Sequence, residues 1–210
     1  QNGMNLDVHG NNTISFVCEK LNSGAVVAVK GIGGFLLLCD ASNTEAVARL
    51  RENKARPTKP FAIMYPSIAE VKRDFELTEK ETEELLSSQA PVVLLSTEKS
   101  QIPHALIQSI APGLDRMGVM LPYTPLFELI IQGIGRPLLA TSGNLHGEPI
   151  TYRNKKAIST LHQFTDYFLF NNRQILTPQD DSVVVYSEKK KQRIVLRRSR
   201  GMAPAFLQST

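Results

Sequence analysis

The sequence has no tryptophan, only two cysteines and no long hydrophobic run, and each of these absences argues against a class of protein. Its longest apolar stretches, such as 25–29 and 35–39, are far shorter than the roughly 20 residues of a membrane-spanning helix. The polar N-terminal segment contains no signal-peptide core. Cys18 and Cys39 lie separately in apolar stretches, which predicts buried free thiols and a reducing, cytoplasmic environment.

The common motifs of nucleotide, metal and hydrolase chemistry are also missing. No GxxxxGK[ST] phosphate loop is present, and the glycine-rich segment 31–34 does not match the GxGxxG pattern of dinucleotide-binding proteins. The four histidines are far apart and fit no zinc-site spacing. No GxSxG nucleophile motif occurs. The chemistry of this chain must therefore be sought in less common patterns.

The composition is that of a globular α/β domain whose basic residues are concentrated in two places. The 210 residues are 42% hydrophobic and 21% charged, which is sufficient for one domain with a large core. The net charge is only +4. The two basic groups are Arg49, Arg51, Lys54, Arg56 and Lys59, and Arg193, Arg197, Arg198 and Arg200. Either group suits a phosphate-rich ligand or a solvated surface, and composition leaves both open.

Hydrophobic periodicity predicts strands that alternate with helices early in the chain and follow one another late. The predicted strands are 25–30, 35–39, 61–65, 92–95, 117–121, 137–141, 167–170, 183–186 and 193–196. The predicted helices are 14–21, one from 43 or 44 to the prolines at 57 and 60, two short helices with capping boxes at Ser67 and Thr78, 125–132 and 155–162. This order predicts a twisted mixed sheet flanked by helices in a single α/β domain.

Two polar segments lie next to predicted elements where ligands are commonly bound. Lys54 and Arg56 stand where a helix passes into a loop stiffened by two prolines, so their charges are displayed with little loss of entropy. Ser142 and Asn144 follow strand 137–141, at the carboxyl end where open α/β sheets bind ligands. Taken separately, the first segment also fits an ordinary basic helix end, and the second fits an ordinary turn.

A third segment carries adjacent carboxylates. Asp180 and Asp181 directly precede strand 183–186. Mg²⁺ retains several waters and needs few protein ligands, so a site near Asp181 is one expectation and a simple turn is the other.

Taken in order, these segments resemble a known family. Lys54-x-Arg56 followed far downstream by Ser142-x-Asn144 is the pattern of the YrdC-like adenylate-forming domains. The closer resemblance is to the YrdC-like domain of the HypF-type carbamoyltransferases of hydrogenase maturation. The stretches that carry it are 29–35, 39–41, 56–62, 121–126, 141–145, 147–150, 180–183 and 197–201. Together they extend over nearly the whole chain, and their common order is far more specific than any one of them.

The resemblance implies an enzyme that uses ATP and Mg²⁺ to convert carbamate, derived from carbamoyl phosphate, into carbamoyl-adenylate. It implies catalytic roles for Lys54 and Arg56 on the phosphates. The further implied residues are Ser142, Asn144, Ser182 and Arg198 for the nucleotide, and Lys30, Gly33 and Thr141 for the acid-substrate pocket. The resemblance also implies other domains of a longer protein, and a hydrogenase-maturation partner. We expect residues 1–23 to be a lead-in with the first helix, 24–204 the YrdC-like domain and 205–210 the start of a linker.

Two alternatives remain open. The sister group, the threonylcarbamoyl-AMP synthases of tRNA modification, shares both patterns but usually has an acidic residue and a tyrosine that are missing from 30–35. A basic double-stranded-RNA-binding module is the non-enzymatic alternative, although the lack of an aromatic-rich stretch predicts that RNA binding is weak or absent. The chain also departs from HypF-like sequences at three places that often carry histidine: Leu36, Phe127-Glu128 and Asn171.

Overall fold

Nine strands and seven helices form the regular structure of the described residues, 11–187 and 189–204, in this computed structural model. The strands are β1 (Val27–Lys30), β2 (Phe35–Asp40), β3 (Ala62–Met64), β4 (Val92–Ser96), β5 (Arg116–Met120), β6 (Leu138–Ser142), β7 (Tyr167–Leu169), β8 (Val183–Ser187) and β9 (Gln192–Arg197). The helices are α1 (Asn11–Asn22), α2 (Thr44–Asn53), α3 (Ile68–Asp74), α4 (Glu79–Leu85), α5 (His104–Ile110), α6 (Pro125–Ile134) and α7 (Asn154–Leu161).

All nine strands belong to one mixed sheet in the order β7-β1-β2-β6-β3-β5-β4-β8-β9. Three neighbouring pairs are parallel, namely β1 with β7, β3 with β5 and β4 with β8, and the other pairs are antiparallel. Strand β6 is paired on both sides, with β2 and with β3. The edge strand β9 is solvent-exposed along its whole length.

Helices cover both faces of the sheet because alternate strand residues are apolar on each side. Helices α1 and α6 pack on one face with Val29, Leu36 and Leu138. On the opposite face the helices α2, α3, α4, α5 and α7 contribute Leu50, Val71, Leu85, Ile110 and Leu161 to the larger cluster. The predicted α/β class and mixed sheet are confirmed, and both cysteines are buried and unpaired as predicted.

Most predicted elements form within a residue or two of the expected bounds, with two differences. Helix α5 was not predicted, because it is short and its N-cap, Pro103, makes no side-chain capping bond. Only one of the two hydrogen bonds of the capping box expected at Ser67 is present. The Ser67 side chain accepts from the Glu70 backbone amide, but Glu70 Oε2 is buried without a partner among the described residues. At Thr78 both halves of the box are present.

The remaining predictions about the ends of the chain fall outside the described residues. The lead-in before Asn11 and the linker at 205–210 are in that part of the sequence. Within the described helices, none is both long and apolar enough to cross a bilayer.

Candidate functional site

The end of helix α2 positions Lys54. Asn43 caps the start of this helix, and Lys54 is its C-cap residue, with its backbone N–H donating to the Leu50 carbonyl at 3.1 Å. Ala55 then adopts a positive φ of 45°, which turns the chain sharply and brings Arg56 back beside the helix end. The helix end was predicted from the sequence, but the expectation that Lys54 is displayed outside the core is wrong, because its exposed fraction is only 8%.

The Lys54 ammonium group is enclosed by acceptors from the segment that follows β6. Its Nζ donates to the carbonyl oxygens of Ser142 at 2.8 Å and Asn144 at 3.0 Å, with Asn144 Oδ1 at 3.5 Å. The ring of Phe164 lies 5.3 Å from Nζ. Burial, together with the charges of Arg56 and Lys59, lowers the pKa of Lys54 to about 8. This ammonium is thus held by neutral acceptors and receives little charge compensation.

Arg56 is the second buried cation of the site. Its guanidinium donates to Thr141 Oγ1 at 2.9 Å and to the Pro60 carbonyl at 2.7 Å, and it packs over the Phe61 ring at 5.0 Å. Its Nε is buried without a hydrogen-bond partner among the described residues. Burial, followed by the charges of Arg51 and Arg197, lowers the pKa of Arg56 to about 10. The group is poorly solvated and would be stabilised by an anion.

Ser142, the last residue of β6, and Asn144 form a short polar segment at the end of this interior strand. Ser142 Oγ donates to Asn144 Oδ1 at 2.8 Å, and the Asn144 amide donates to the Glu148 carbonyl at 2.7 Å. Gly143 between them is required for space, since a Cβ there would lie 2.8 Å from the Phe35 carbonyl oxygen. The Lys54-x-Arg56 and Ser142-x-Asn144 motifs are therefore in contact, as their combination predicted. Thr141 adds a second contact, because its hydroxyl accepts from Arg56.

Phe164 was not selected from the sequence, whereas Asp180 was selected only as part of an acidic pair and Arg197 only as part of a basic group. Phe164 faces Lys54, the charge of Asp180 acts on both buried cations, and the charge of Arg197 acts on Arg56. The Arg197–Asp180 ion pair is long, at 4.0 Å. These residues come from the turn after α7, the segment before β8 and the end of β9, so only the tertiary fold reveals that they belong together.

Two other sequence candidates lie in a separate buried cluster. Ser182 is fully buried, and its hydroxyl donates to the Arg200 carbonyl and accepts from the Ser199 amide, at 2.9 and 2.8 Å. Asp181 accepts from Arg200 Nε at 2.9 Å, and the Arg200 guanidinium stacks over the Tyr123 ring at 3.4 Å. Burial raises the pKa of Asp181, against the opposite influence of Arg200.

This cluster does not fit the magnesium site expected near Asp181. The Asp181 carboxylate is engaged by Arg200, and no group of three or more histidine, cysteine, aspartate or glutamate side chains is placed to hold a metal within the residues that the structure describes. Arg198 is exposed and donates to the Met202 carbonyl at 3.1 Å.

Lys30 and Gly33, expected in the acid-substrate pocket, both contact the segment 171–179. The buried Lys30 ammonium donates to the carbonyls of Asn171 and Arg173, at 3.3 and 2.8 Å, and burial lowers its pKa. A Cβ on Gly33 would lie 2.2 Å from the Gln179 carbonyl oxygen, so no other residue fits there without displacing the backbone.

The three departures from the HypF-like pattern are concentrated near the β1–β2 junction. Leu36 is buried in β2, directly opposite Ser142 of β6. The Phe127 ring approaches the Cα of Gly31 so closely that a Cβ there would lie 3.2 Å from the ring. Asn171 accepts from Lys30. The chain therefore differs from that pattern in one region, beside the loop that joins β1 and β2.

Comparison with known proteins identifies similar sequences over almost the whole chain. The family model Sua5_yciO_yrdC, described as telomere recombination, matches residues 19–199. A carbamoyltransferase HypF from Synechocystis sp. is 44% identical over 194 residues, covering 92% of this chain and 25% of the relative. A threonylcarbamoyl-AMP synthase from Vibrio campbellii is 26% identical over 138 residues, covering 63% of this chain and 72% of the relative.

Among solved structures, this fold is similar to that of a full-length HypF in a phosphate- and nucleotide-bound form. The TM-score is 0.84 and the identity 41%, over 91% of this chain and 29% of that one. This chain spans about a quarter of the length of the curated carbamoyltransferases that it matches.

Proposed function

The chain belongs to the Sua5/YciO/YrdC family, and on that premise we propose that it binds ATP and forms carbamoyl-adenylate from carbamate. We propose this reaction as one step of a HypF-like carbamoyltransferase in nickel–iron hydrogenase maturation. The observation that carries the proposal is the pair of buried cations, Lys54 and Arg56, gathered beside Ser142 and Asn144 with little compensating negative charge. Such a pair favours a ligand that is rich in phosphate.

The reaction needs positioning and charge stabilisation rather than a nucleophilic side chain. A carbamate oxygen attacks the α-phosphorus of ATP, the new O–P bond forms, and the bond to the departing pyrophosphate breaks. Lys54 and Arg56 stabilise the charge that develops on the phosphate oxygens, and they are already desolvated before the ligand arrives. Ser142 and Asn144 orient phosphate oxygens through a hydroxyl and an amide that are fixed by the end of β6.

The remaining candidates are assigned supporting roles. Thr141 connects the acid-substrate pocket to Arg56. Lys30 and Gly33 shape that pocket by fixing the segment 171–179 against the β1–β2 junction. Ser182 positions the backbone that carries Arg198 and Arg200 and does not contact the nucleotide itself, because its hydroxyl already bonds to the Ser199 amide and the Arg200 carbonyl. Magnesium would bind as a complex with the phosphates of ATP, since the described residues include no cluster of metal-binding side chains.

The identity of the acid is the finer part of the proposal. Carbamate is favoured because the HypF relatives share 36–44% identity with this chain, against 26–27% for the threonylcarbamoyl-AMP synthases. The three departures near the β1–β2 junction lie beside Lys30 and Gly31, so any change in acid preference is expected to arise there. Other domains of a longer protein and a hydrogenase-maturation protein are the proposed partners.

Exchange of labelled pyrophosphate into ATP tests the proposal. The chain is supplied with ATP and Mg²⁺ and, in turn, with carbamoyl phosphate, with bicarbonate and ammonium, or with bicarbonate and threonine, and ATP binding is measured in parallel by calorimetry. We expect ATP to bind and exchange to depend on a carbamate source. Exchange that requires threonine would assign the chain to the synthases, and the absence of ATP binding by folded protein would refute the nucleotide site.

RNA binding is measured on the same preparation. We expect it to be weak and insensitive to sequence, because the sequence contains no aromatic-rich stretch on which RNA bases could stack. Tight, sequence-selective binding at physiological salt would contradict the enzyme proposal.

A further inference from the structure

Asp180 faces the cationic site, and the proposed reaction assigns it no role. Its side chain is about one-third exposed, and its carboxylate lies 4.0 Å from Arg197 Nη1, a long distance for an ion pair. Its negative charge also acts on Lys54 and Arg56 and raises the pKa of both, against the lowering caused by burial. This partly exposed carboxylate therefore acts on three cations without forming a close ion pair with any of them.

The backbone on both sides of Asp180 is firmly held. The preceding Gln179 amide donates to the Gly33 carbonyl at 2.9 Å, at the point where only glycine fits. The Asp180 carbonyl itself accepts from the Arg200 amide at 3.1 Å, and the next side chain, Asp181, is bound to Arg200. The backbone of Asp180 is thus fixed, and the carboxylate extends from it to 4.0 Å from Arg197 Nη1.

The contrast with Asp181 separates the roles of these adjacent acids. Asp181 neutralises one buried arginine at hydrogen-bonding distance, as a structural ion pair does. Asp180 compensates the charge of the site from a distance that leaves the phosphate-binding donors uncovered. A carboxylate in that position stabilises the ligand-free protein, and it repels any polyphosphate that enters.

We propose that Asp180 is a built-in counter-ion of the Lys54–Arg56 pair, which limits how tightly the site holds polyphosphates and so favours release of pyrophosphate. This inference depends on the proposed function, since it assigns a role to the carboxylate within that nucleotide site. The repulsion acts on every anion and grows with the number of negative charges near the carboxylate. Pyrophosphate and ATP are therefore affected more strongly than AMP.

Replacing Asp180 by Asn, which retains its size, tests the proposal. Binding of pyrophosphate, ATP and AMP is measured by calorimetry at fixed ionic strength, once with EDTA and once with Mg²⁺. Glu19→Gln is the matched control, because it removes the same charge from an exposed side chain of α1, on the opposite face of the sheet from α2. Asp180→Glu restores the charge, and thermal melting confirms that each variant is folded.

We expect Asp180→Asn to bind pyrophosphate and ATP on the order of tenfold more tightly in EDTA, with a smaller gain for AMP. Glu19→Gln should be unchanged, and Asp180→Glu should return toward wild type. Equal affinities in wild type and Asp180→Asn would overturn the proposal. Weaker ATP binding by Asp180→Asn in Mg²⁺ but not in EDTA would overturn it as well, and would identify Asp180 as a metal ligand.

A second readout separates this inference from the proposed function. Titration of Lys54, followed by NMR of its side-chain ¹³Cε, needs no nucleotide. Asp180→Asn should lower the pKa of Lys54 further, because the one compensating charge is removed. If the wild-type protein binds no ATP but this pKa falls, the proposed function fails while the counter-ion role stands. If ATP binds and the pKa does not move, the counter-ion role fails alone.

Discussion

Two clusters of buried cations in this protein differ in how their charge is balanced. Arg200 has its own carboxylate, Asp181, at 2.9 Å, and two backbone carbonyls that complete its hydrogen bonds. Lys54 and Arg56 contact mainly neutral oxygens and rings, and a carboxylate reaches them only from a distance. The first arrangement is a closed structural pair. The second leaves positive charge available to a ligand, and the difference predicts opposite outcomes for mutations in the two clusters.

Arg200→Met should give the largest effect and should act on stability. Asp181 would then be a buried carboxylate without its partner, which typically costs about 3–5 kcal/mol of unfolding free energy. Urea denaturation measures the loss. The control is Arg73→Met, since the exposed Arg73 pairs with Asp74 at the surface and its loss should change the free energy of unfolding far less. Equal losses in the two variants would show that the Arg200 pair is not structural.

Lys54→Met should act mainly on the reaction. Loss of one preorganised donor at a transition state lowers the rate by roughly 10²–10³. The stability change should be much smaller, since removing a desolvated ammonium offsets the hydrogen bonds lost at Ser142 and Asn144. Pyrophosphate exchange and urea denaturation are measured together, with the exposed Lys72→Met as control. An active wild type and an equally active Lys54→Met would refute the role of Lys54.

Two serine variants make the same comparison on a smaller scale. Ser182→Ala should destabilise the protein by about 1–3 kcal/mol, because the Ser199 amide and the Arg200 carbonyl lose their buried partner. Ser142→Ala should leave stability within about 1 kcal/mol and weaken ATP binding by up to about tenfold, since its hydroxyl orients Asn144. If Ser142→Ala lowers stability as much as Ser182→Ala does, the two clusters are not distinct.

The smallest effect on ATP affinity concerns pH, and pH acts with opposite signs on binding and on stability. With the pKa of Lys54 lowered to about 8, ATP affinity should fall several-fold as pH rises through that value. Folding responds in the other direction: the unfolded chain holds the proton up to about pH 10.4, so this group makes the protein more stable as pH rises from about 8 toward that value. Lys54→Arg should abolish both changes, as calorimetry and denaturation across pH would show.

The sequence predicted the parts of this structure that depend on local patterns. Lys54 at a helix end and Ser142 at a strand end follow from periodicity and from the residues that stop each element. The burial of Lys54 could not be predicted, because it depends on Phe164 and on the loop after β6, which are distant in the chain. Asp180 and Asp181 look equivalent as neighbours, and only the position of Arg200 separates them.

The interior position of β6 has a consequence for how ligand binding could be detected. Strand β6 is hydrogen-bonded on both sides, so amides such as those of Leu139 and Ala140 should exchange with deuterated water only when the whole domain opens. A nucleotide that binds beside Ser142 would bind only the folded domain and would lower the population of the unfolded state. Exchange at the protected amides should then slow by the factor by which that population falls. Slower deuterium exchange in the protected interior of β6 would then show that a nucleotide is bound at the end of the same strand.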